Sequence, residues 1–331
     1  MLHGFDVSMK ILITGGAGFI GYHLAKYLAD RGDDVVVCDN FARGEKDKDF
    51  QELVSRPNVE LVICDLTKTE ELKKIGTDYD SVYHLSAINH TELFYKIPAE
   101  IMRVGIMTTM NILEWMRKQD RKTKIIFTSS SEAYAGALKA FGQLPIPTPE
   151  NVPLVIEDVR NPRWSYAGTK LIGELLFLNY AKQYGLRVSI VRPNNFYGPR
   201  AGIGHVVPDF IERILGRQNP FHIYGNDTRS FCYIDDAIRQ MVAVMETEKT
   251  DGEIVSVGNA EEIKIIDLAK KLFDVANYHP EVVIYDSPLG SVKRRLPDLS
   301  KLYNLTGVRA EVDLEEGLTK TFKWYKTHPQ I

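Results

Sequence analysis

The chain has 331 residues, 44% of them apolar and 26% charged, with 41 Lys and Arg against 44 Asp and Glu for a net charge of −3. This is the composition of a globular chain with core enough for about two domains, and it excludes a disordered, collagen-like or membrane-embedded protein. With no cationic surplus, nucleic-acid binding gains no electrostatic support as the main task.

Residues 1–8 contain no apolar stretch of the kind a leader needs, and Ile11-Leu12-Ile13 is too short to span a bilayer. They read as an extension of little consequence. The three cysteines, Cys38, Cys64 and Cys232, lie far apart and form no CxxC, so neither a disulfide framework nor a zinc site is expected. The expectation is a cytoplasmic protein that holds no metal and keeps clear of membranes.

The first apolar run, Lys10–Thr14, leads into Thr14-Gly15-Gly16-Ala17-Gly18-Phe19-Ile20-Gly21, which opens a helix to about Arg31. Gly15, Gly18 and Gly21 suit a dinucleotide loop: one for the tight turn, one for backbone approach to a pyrophosphate, one for helix–strand packing. The helix N-terminus offers free N–H groups to that diphosphate. The second run, Asp34–Asp39, ends on an acid eighteen residues past Gly21. A carboxylate there accepts hydrogen bonds from a ribose diol and repels a 2′-phosphate, which favours NAD over NADP. The third run, Val59–Asp65, ends on Asp65, which either contacts the adenine edge or caps a helix over Thr67–Lys74.

Runs Ser81–Leu85, Lys124–Ser129 and Arg187–Arg192 continue the alternation of short Val- and Ile-rich segments with helical stretches. This predicts an α/β fold, a doubly wound parallel sheet of Rossmann type. Residues 138–162 carry five prolines and little periodicity, the pattern of a surface excursion. After Arg192, the crowding of Pro193, Gly198, Pro199, Gly202, Gly204 and Pro208 marks the crossing into a smaller lobe. The expected division is 9–192 with about 231–260, where Glu253–Val257 returns to the sheet, against 193–230 with 261–331.

Thr128-Ser129-Ser130-Ser131-Glu132-Ala133-Tyr134 closes a central strand, where open α/β sheets place their ligand crevice. Its hydroxyls suit a substrate alcohol, and Glu132 is either a general base or a solvated turn carboxylate. Tyr166 and Lys170, spaced i, i+4 on a helix Tyr166–Tyr184, share one face. A free phenol has a pKa of ~10, and a neighbouring ammonium moves it toward the range of a working base. With 16 tyrosines about one such pair arises by chance. Tyr22 and Lys26 form a second copy, which reads as structural.

Taken together, TGGAGFIG at 14–21, DN at 39–40, DL at 65–66, YHLSA at 83–87, SSSEAYA at 129–135, YAGTK at 166–170, RPNNFYGPR at 192–200, RSFCYIDD at 229–236 and RRLPDLSK at 294–301 resemble the extended short-chain dehydrogenase/reductases, the NAD-dependent nucleotide-sugar epimerase/dehydratase family. The resemblance implies a Rossmann domain with a smaller C-terminal lobe that grips a nucleotide-diphosphate sugar, and often a homodimer, here through Pro98–Arg117 and Tyr166–Tyr184. It implies that NAD is lined by Phe19, Ile20, Asn40, Arg43, Leu66, Leu85, Ser86 and Ala87 beside the glycines, Asp39 and Asp65. Tyr166 then removes the 4′-hydroxyl proton, Lys170 binds the nicotinamide ribose, and Ser130 bonds the same hydroxyl. Asn195, Arg229 and Arg295 match the substrate clamps, which suits a guanidinium fork. His90 and Ser131 fall in substrate-facing positions. Gly105 stands where the family pattern has asparagine, Thr108 where it has glycine, Ala135 for another glycine, and Ser86 for an alanine.

The triplet Ser130-Ser131-Glu132 resembles those of 4,6-dehydratases and UDP-glucuronate decarboxylases, and the reading leans to dehydration or C5-directed epimerisation through Glu132. The alternatives are a 4-epimerase or a UDP-glucuronate decarboxylase. A reductase of a non-nucleotide substrate has less need of Asn195, Arg229 and Arg295. A catalytically silent NAD-sensing scaffold would be free to lose Tyr166 or Lys170, which are both present.

Overall fold

In the computed structural model, residues 8–119, 122–137, 144–202, 204–225, 227–286 and 293–328 are described. Most of the expected N-terminal extension and the start of the expected excursion, 138–143, lie outside the described residues. By internal packing, the described residues of Met1–Ser129, Asp158–Val191 and Val244–Ile254 form one unit, and those of Ser130–Glu157, Arg192–Ala243 and Val255–Ile331 a second.

The Val- and Ile-rich runs form β1 (Lys10–Thr14), β2 (Asp34–Asp39), β3 (Val59–Ile63), β4 (Ser81–His84), β5 (Lys124–Thr128) and β6 (Arg187–Pro193). The shorter strands are β7 (Phe196–Tyr197), β8 (Phe221–Tyr224), β9 (Thr228–Ser230), β10 (Cys232–Tyr233), β11 (Ile254–Val257), β12 (Glu262–Lys264), β13 (Val282–Tyr285) and β14 (Arg294–Arg295). The main sheet has seven strands in the order β11-β6-β5-β4-β1-β2-β3, with parallel registers of β1 with β2 and β4, β2 with β3, β4 with β5, and β5 with β6. From β1 the chain winds outward to β3 and then restarts at β4 on the other side. Ligands enter such sheets at the carboxyl ends of the strands flanking that reversal.

Helices α1 (Phe19–Arg31), α2 (Lys48–Val54), α3 (Thr91–Lys96), α4 (Pro98–Met116) and α5 (Trp164–Tyr184) accompany this sheet. Its core is built from Leu12, Val36, Ile112, Leu113, Ile125, Phe127, Phe177, Val188 and Ile190. Each such side chain contributes about 1.5–3 kcal/mol on leaving water. α4 and α5 meet closely at Gly105, where a Cβ would stand 2.8 Å from Thr169 Cβ. The missing asparagine of the family pattern is thus explained by a crossing that has no room for one.

The second unit is built from smaller pieces. β9 lies between β12, antiparallel to it, and β14, parallel to it, while β8 pairs with β13 and β7 with β10. Helices α6 (Val206–Leu215), α7 (Ile234–Glu246), α8 (Ile265–Ala276), α9 (Ser300–Thr306) and α10 (Leu314–Thr327) complete it. Asp236, wholly buried on α7, accepts the backbone N–H groups of Glu311 and Val312 at 3.0 and 2.9 Å and pairs with Arg239. A buried carboxylate satisfied in this way fixes the approach to α10 instead of opposing burial. Among the described residues no helix is long and apolar enough to cross a membrane.

Candidate active site

The glycine loop joins β1 to α1. Gly15 has φ +71°, and a Cβ there would stand 2.9 Å from the backbone N of Ser86. At Gly21 a Cβ would meet Gly15 O at 2.3 Å and Gly16 Cα at 2.6 Å. Gly18 caps α1 without any side-chain bond, so that end of the helix is open to an anionic ligand. Backbone packed this tightly, with no side chain between loop and ligand, is what a pyrophosphate requires. Asp39 stands beside it, accepting from Ala17 N at 3.0 Å and Phe41 N at 2.8 Å. Burial pushes its carboxyl above the usual range, and these backbone bonds oppose that. The cradle and the acid fit NAD.

The other expected cofactor residues lie around this loop. Asn40 Oδ1 accepts from Ala42 N at 3.0 Å, and Arg43 Nη1 donates to Asn89 O at 2.5 Å. Asp65 Oδ1 accepts from Thr67 N and Oγ1 at 3.0 and 2.8 Å, a local turn that caps no helix. The next element is a 3-10 turn, Thr69–Ile75, instead of a helix from Thr67, and its Glu71 reaches back to Asp65 N at 3.0 Å. Leu66 O accepts from Asn111 Nδ2, and Leu85 N donates to Thr14 O. Phe19 meets His23 edge-on, and Ile20 lies in the first turn of α1. Ala87 packs against the cluster of Phe94, Ile101 and Tyr166. His90 caps α3 through its backbone, and its Nδ1 is buried with no partner.

α5 begins two residues before Tyr166 and carries Tyr166 and Lys170 on one face. The Tyr166 ring is buried and stacks on Phe94, centroids 5.2 Å apart and planes within 8°. Lys170 Nζ stands 5.5 Å from the Tyr166 ring centroid and donates to Thr128 O at 2.7 Å. Burial lowers its pKa to about 8, with Glu174 opposing the shift. It is therefore charged at neutral pH beside a phenol, the arrangement that favours phenolate. The second copy of the spacing differs: Lys26 pairs with Asp30 at 2.5 Å on an exposed face.

In the second unit, Ser130 Oγ accepts from Glu132 N at 3.1 Å and caps the 3-10 turn Ser131–Tyr134, in which Ser131 is buried. Glu132 Oε1 accepts from Arg295 Nη1 at 2.7 Å, with the two side chains 25% and 10% exposed. Glu132 is thus not a freely solvated turn carboxylate. Arg295 Nε is buried and has no acceptor. Arg229 is the register partner of Arg295 across β9–β14, and its Nη1 donates to Thr228 O at 2.8 Å. Asn195, at φ +43°, donates from Nδ2 to Ser230 O at 2.9 Å and so stands next to β9. Three residues drawn from distant motifs therefore gather around one short strand. The adjacent Arg294 is committed elsewhere, with two bonds of 2.7 Å to Glu262.

Two partnerships were not legible in the sequence. Glu132 and Arg295 are far apart along the chain, and no local pattern joins them. Glu174, buried on α5, accepts from Ser129 Oγ at 2.5 Å. Its spacing four residues beyond Lys170 was the available signal.

Residues 11–258 match the family model described as the NAD dependent epimerase/dehydratase family. The chain is 34% identical over 328 residues to a UDP-N-acetyl-alpha-D-glucosaminuronate decarboxylase of Bacillus cytotoxicus, covering 96% of this chain and 98% of that one. It is 31% identical over 319 residues to UDP-glucuronic acid decarboxylase 6 of Arabidopsis thaliana, covering 95% and 88% respectively. Among solved structures, it resembles the UDP-glucuronic acid 4-epimerase of Bacillus cereus in complex with UDP-glucuronic acid and NAD, with TM-score 0.83, 29% identity, and 97% and 100% of the two chains covered.

Proposed function

The chain belongs to the NAD-dependent epimerase/dehydratase family, and from that premise we propose that it is a decarboxylase of a UDP-linked uronic acid. The observation that carries this reading is Arg295, its side chain 10% exposed: one nitrogen is held by Glu132, and the buried Nε lacks an acceptor. A buried guanidinium N–H without an acceptor calls for an anionic ligand group. Glu132 on the same guanidinium would repel a diphosphate, so a single carboxylate at the reacting end is the better occupant. Glutamate bound to a guanidinium is also a weaker base for the C5 proton, which moves the preference from dehydration to carboxylate loss.

NAD, held by the glycine loop and Asp39, supplies when bound the transient oxidation at C4 and its reversal. Tyr166 takes the proton of the 4-hydroxyl, Lys170 stabilises the phenolate, and Ser130 holds the same oxygen. The resulting 4-keto uronate is a β-keto acid. Its C5–C6 bond breaks, the electron pair moves into the C4 ketone as an enolate, C6 leaves as carbon dioxide, and a solvent-derived proton adds at C5. Arg295 orients the C6 carboxylate, Glu132 orients Arg295, and Arg229 and Asn195 serve the diphosphate. We assign NAD binding to the first unit and the grip on the nucleotide sugar to the second.

The same reading takes the enzyme as a homodimer through the exposed Met102, Met107 and Leu175 of α4 and α5. Its three cysteines, all free, favour a reducing cytosol.

The test is incubation with UDP-glucuronate and UDP-N-acetylglucosaminuronate in deuterated water, read by mass spectrometry and NMR. Loss of carbon dioxide with one deuterium at C5 is expected, and Arg295→Met should lower the rate by about a hundredfold while leaving NAD affinity unchanged. A product that keeps its carboxylate with C4 inverted would replace decarboxylation by epimerisation. Equal turnover of UDP-glucose, whose sugar carries no carboxylate, would remove the role of Arg295.

A further inference from the structure

Resting on the assignment of Tyr166 and Lys170 to the reaction, we infer that Glu174 is a positioning residue that holds the charge on Lys170 and thereby sets the pH range in which Tyr166 works. Tyr166, Lys170 and Glu174 follow one another at i, i+4 along α5, so they form a ladder on one helical face. The end of β5 holds both lower rungs. Thr128 O accepts from Lys170 Nζ at 2.7 Å, and the next residue, Ser129, donates from Oγ to Glu174 Oε1 at 2.5 Å.

The surroundings are apolar. Phe127 and Phe177 stack with centroids 4.7 Å apart, Lys170 Nζ lies 4.9 Å from the Phe127 ring, and Glu174 is 2% exposed. A carboxylate in such a place costs several kcal/mol unless a cation offsets it. Glutamine would make the same bond to Ser129 at lower cost, so the hydrogen bond alone does not account for an acid here. The charge does. Among the described residues, the titratable groups shown beside Lys170 are Tyr166 and Glu174 on α5 and His84 on β4. His84 is buried against Phe127 and Phe177 and held neutral, with its pKa down to about 3. Glu174 is then the negative charge that acts on Lys170. Burial already brings the ammonium down to about 8 against the pull of Glu174. Without that carboxylate burial would bring Lys170 lower still, and the phenol of Tyr166 would keep the ammonium that favours its ionised form over a narrower pH range.

The experiment titrates Lys170 directly, by NMR of protein carrying 13C at the lysine ε-carbons, with the resonance assigned through Lys170→Met. The wild-type midpoint should fall near 8. Glu174→Gln should lower it by about one unit or more, and in turnover should move the alkaline limb of the kcat profile to lower pH by a similar amount. NAD affinity and KM should stay near wild type. Ser129→Ala removes the hydrogen bond but not the charge, and should leave the midpoint near 8 even where it lowers the melting temperature. Where Glu174→Gln does not fold, Glu174→Met fills the same volume and carries the same expectation. An unmoved Lys170 midpoint in a folded Glu174 variant overturns the inference. The titration needs no substrate, so it decides the matter even if the proposed uronate is not turned over.

Discussion

Adding one methyl group at Gly21 and one at Gly168 should have opposite consequences, although both residues are helical glycines. At Gly21 the new Cβ would stand 2.3 Å from Gly15 O and 2.6 Å from Gly16 Cα, where ordinary contact begins at 3.4 Å. Both obstacles are backbone, so no side-chain rotation relieves them, and the loop must retreat by about 1 Å. Overpacking of this kind costs about 1–3 kcal/mol. The retreat also displaces the loop that meets the pyrophosphate, so NAD affinity should fall by about ten- to a hundredfold, the equivalent of about 1.4–2.8 kcal/mol. At Gly168, inside α5, the added Cβ meets nothing within 4 Å. Gly168→Ala should instead stabilise by about 0.5–1 kcal/mol through helix propensity alone. Urea denaturation measures the first quantity and calorimetric titration of NAD the second. Wild-type NAD affinity and stability in Gly21→Ala, or an equal loss of stability in Gly168→Ala, would refute the close-approach argument.

Acid sensitivity should trace in part to His84. Burial, with Lys170 adding to it, lowers this imidazole from 6.5 to about 3. The unfolded chain therefore binds a proton that the folded one refuses, and stability is lost as pH falls from about 6.5 toward 3. At about 1.4 kcal/mol per pH unit the loss reaches up to about 4–5 kcal/mol. His84→Gln should flatten the melting temperature over that window, and an unchanged slope would exclude the assignment. Leu175→Arg, on a side chain 56% exposed, should convert the proposed dimer to monomer in sedimentation velocity while NAD binding persists. A monomeric wild type would dispose of the interface.

Much of the first unit could be read locally. The strands at Lys10–Thr14 and Asp34–Asp39 begin and end where their hydrophobic runs do, because a buried parallel strand needs an unbroken apolar segment. The loop from Gly15 to Gly21 was legible for a similar reason, since only glycine tolerates backbone in such close approach. Boundaries shifted where other groups compete for the backbone. Asp65 was expected to end the third strand, but β3 stops at Ile63 and Asp65 bonds Thr67 instead. The second unit was less legible, because strands as short as β9 and β14 carry too few residues for a period to register.

What the sequence settled by itself are the features that repeat or crowd within a few residues: the α/β alternation, the glycine cradle, and the tyrosine and lysine one turn apart. Tertiary structure alone decided which charges meet. Glu132 finds Arg295 only because the turn Ser131–Tyr134 and β14 come together, and Glu174 reaches Ser129 only because α5 packs along β5. Helical and strand periods are short-range properties of the chain. Electrostatic partnerships between distant segments are not written in any period, and they exist only once packing has brought those segments together.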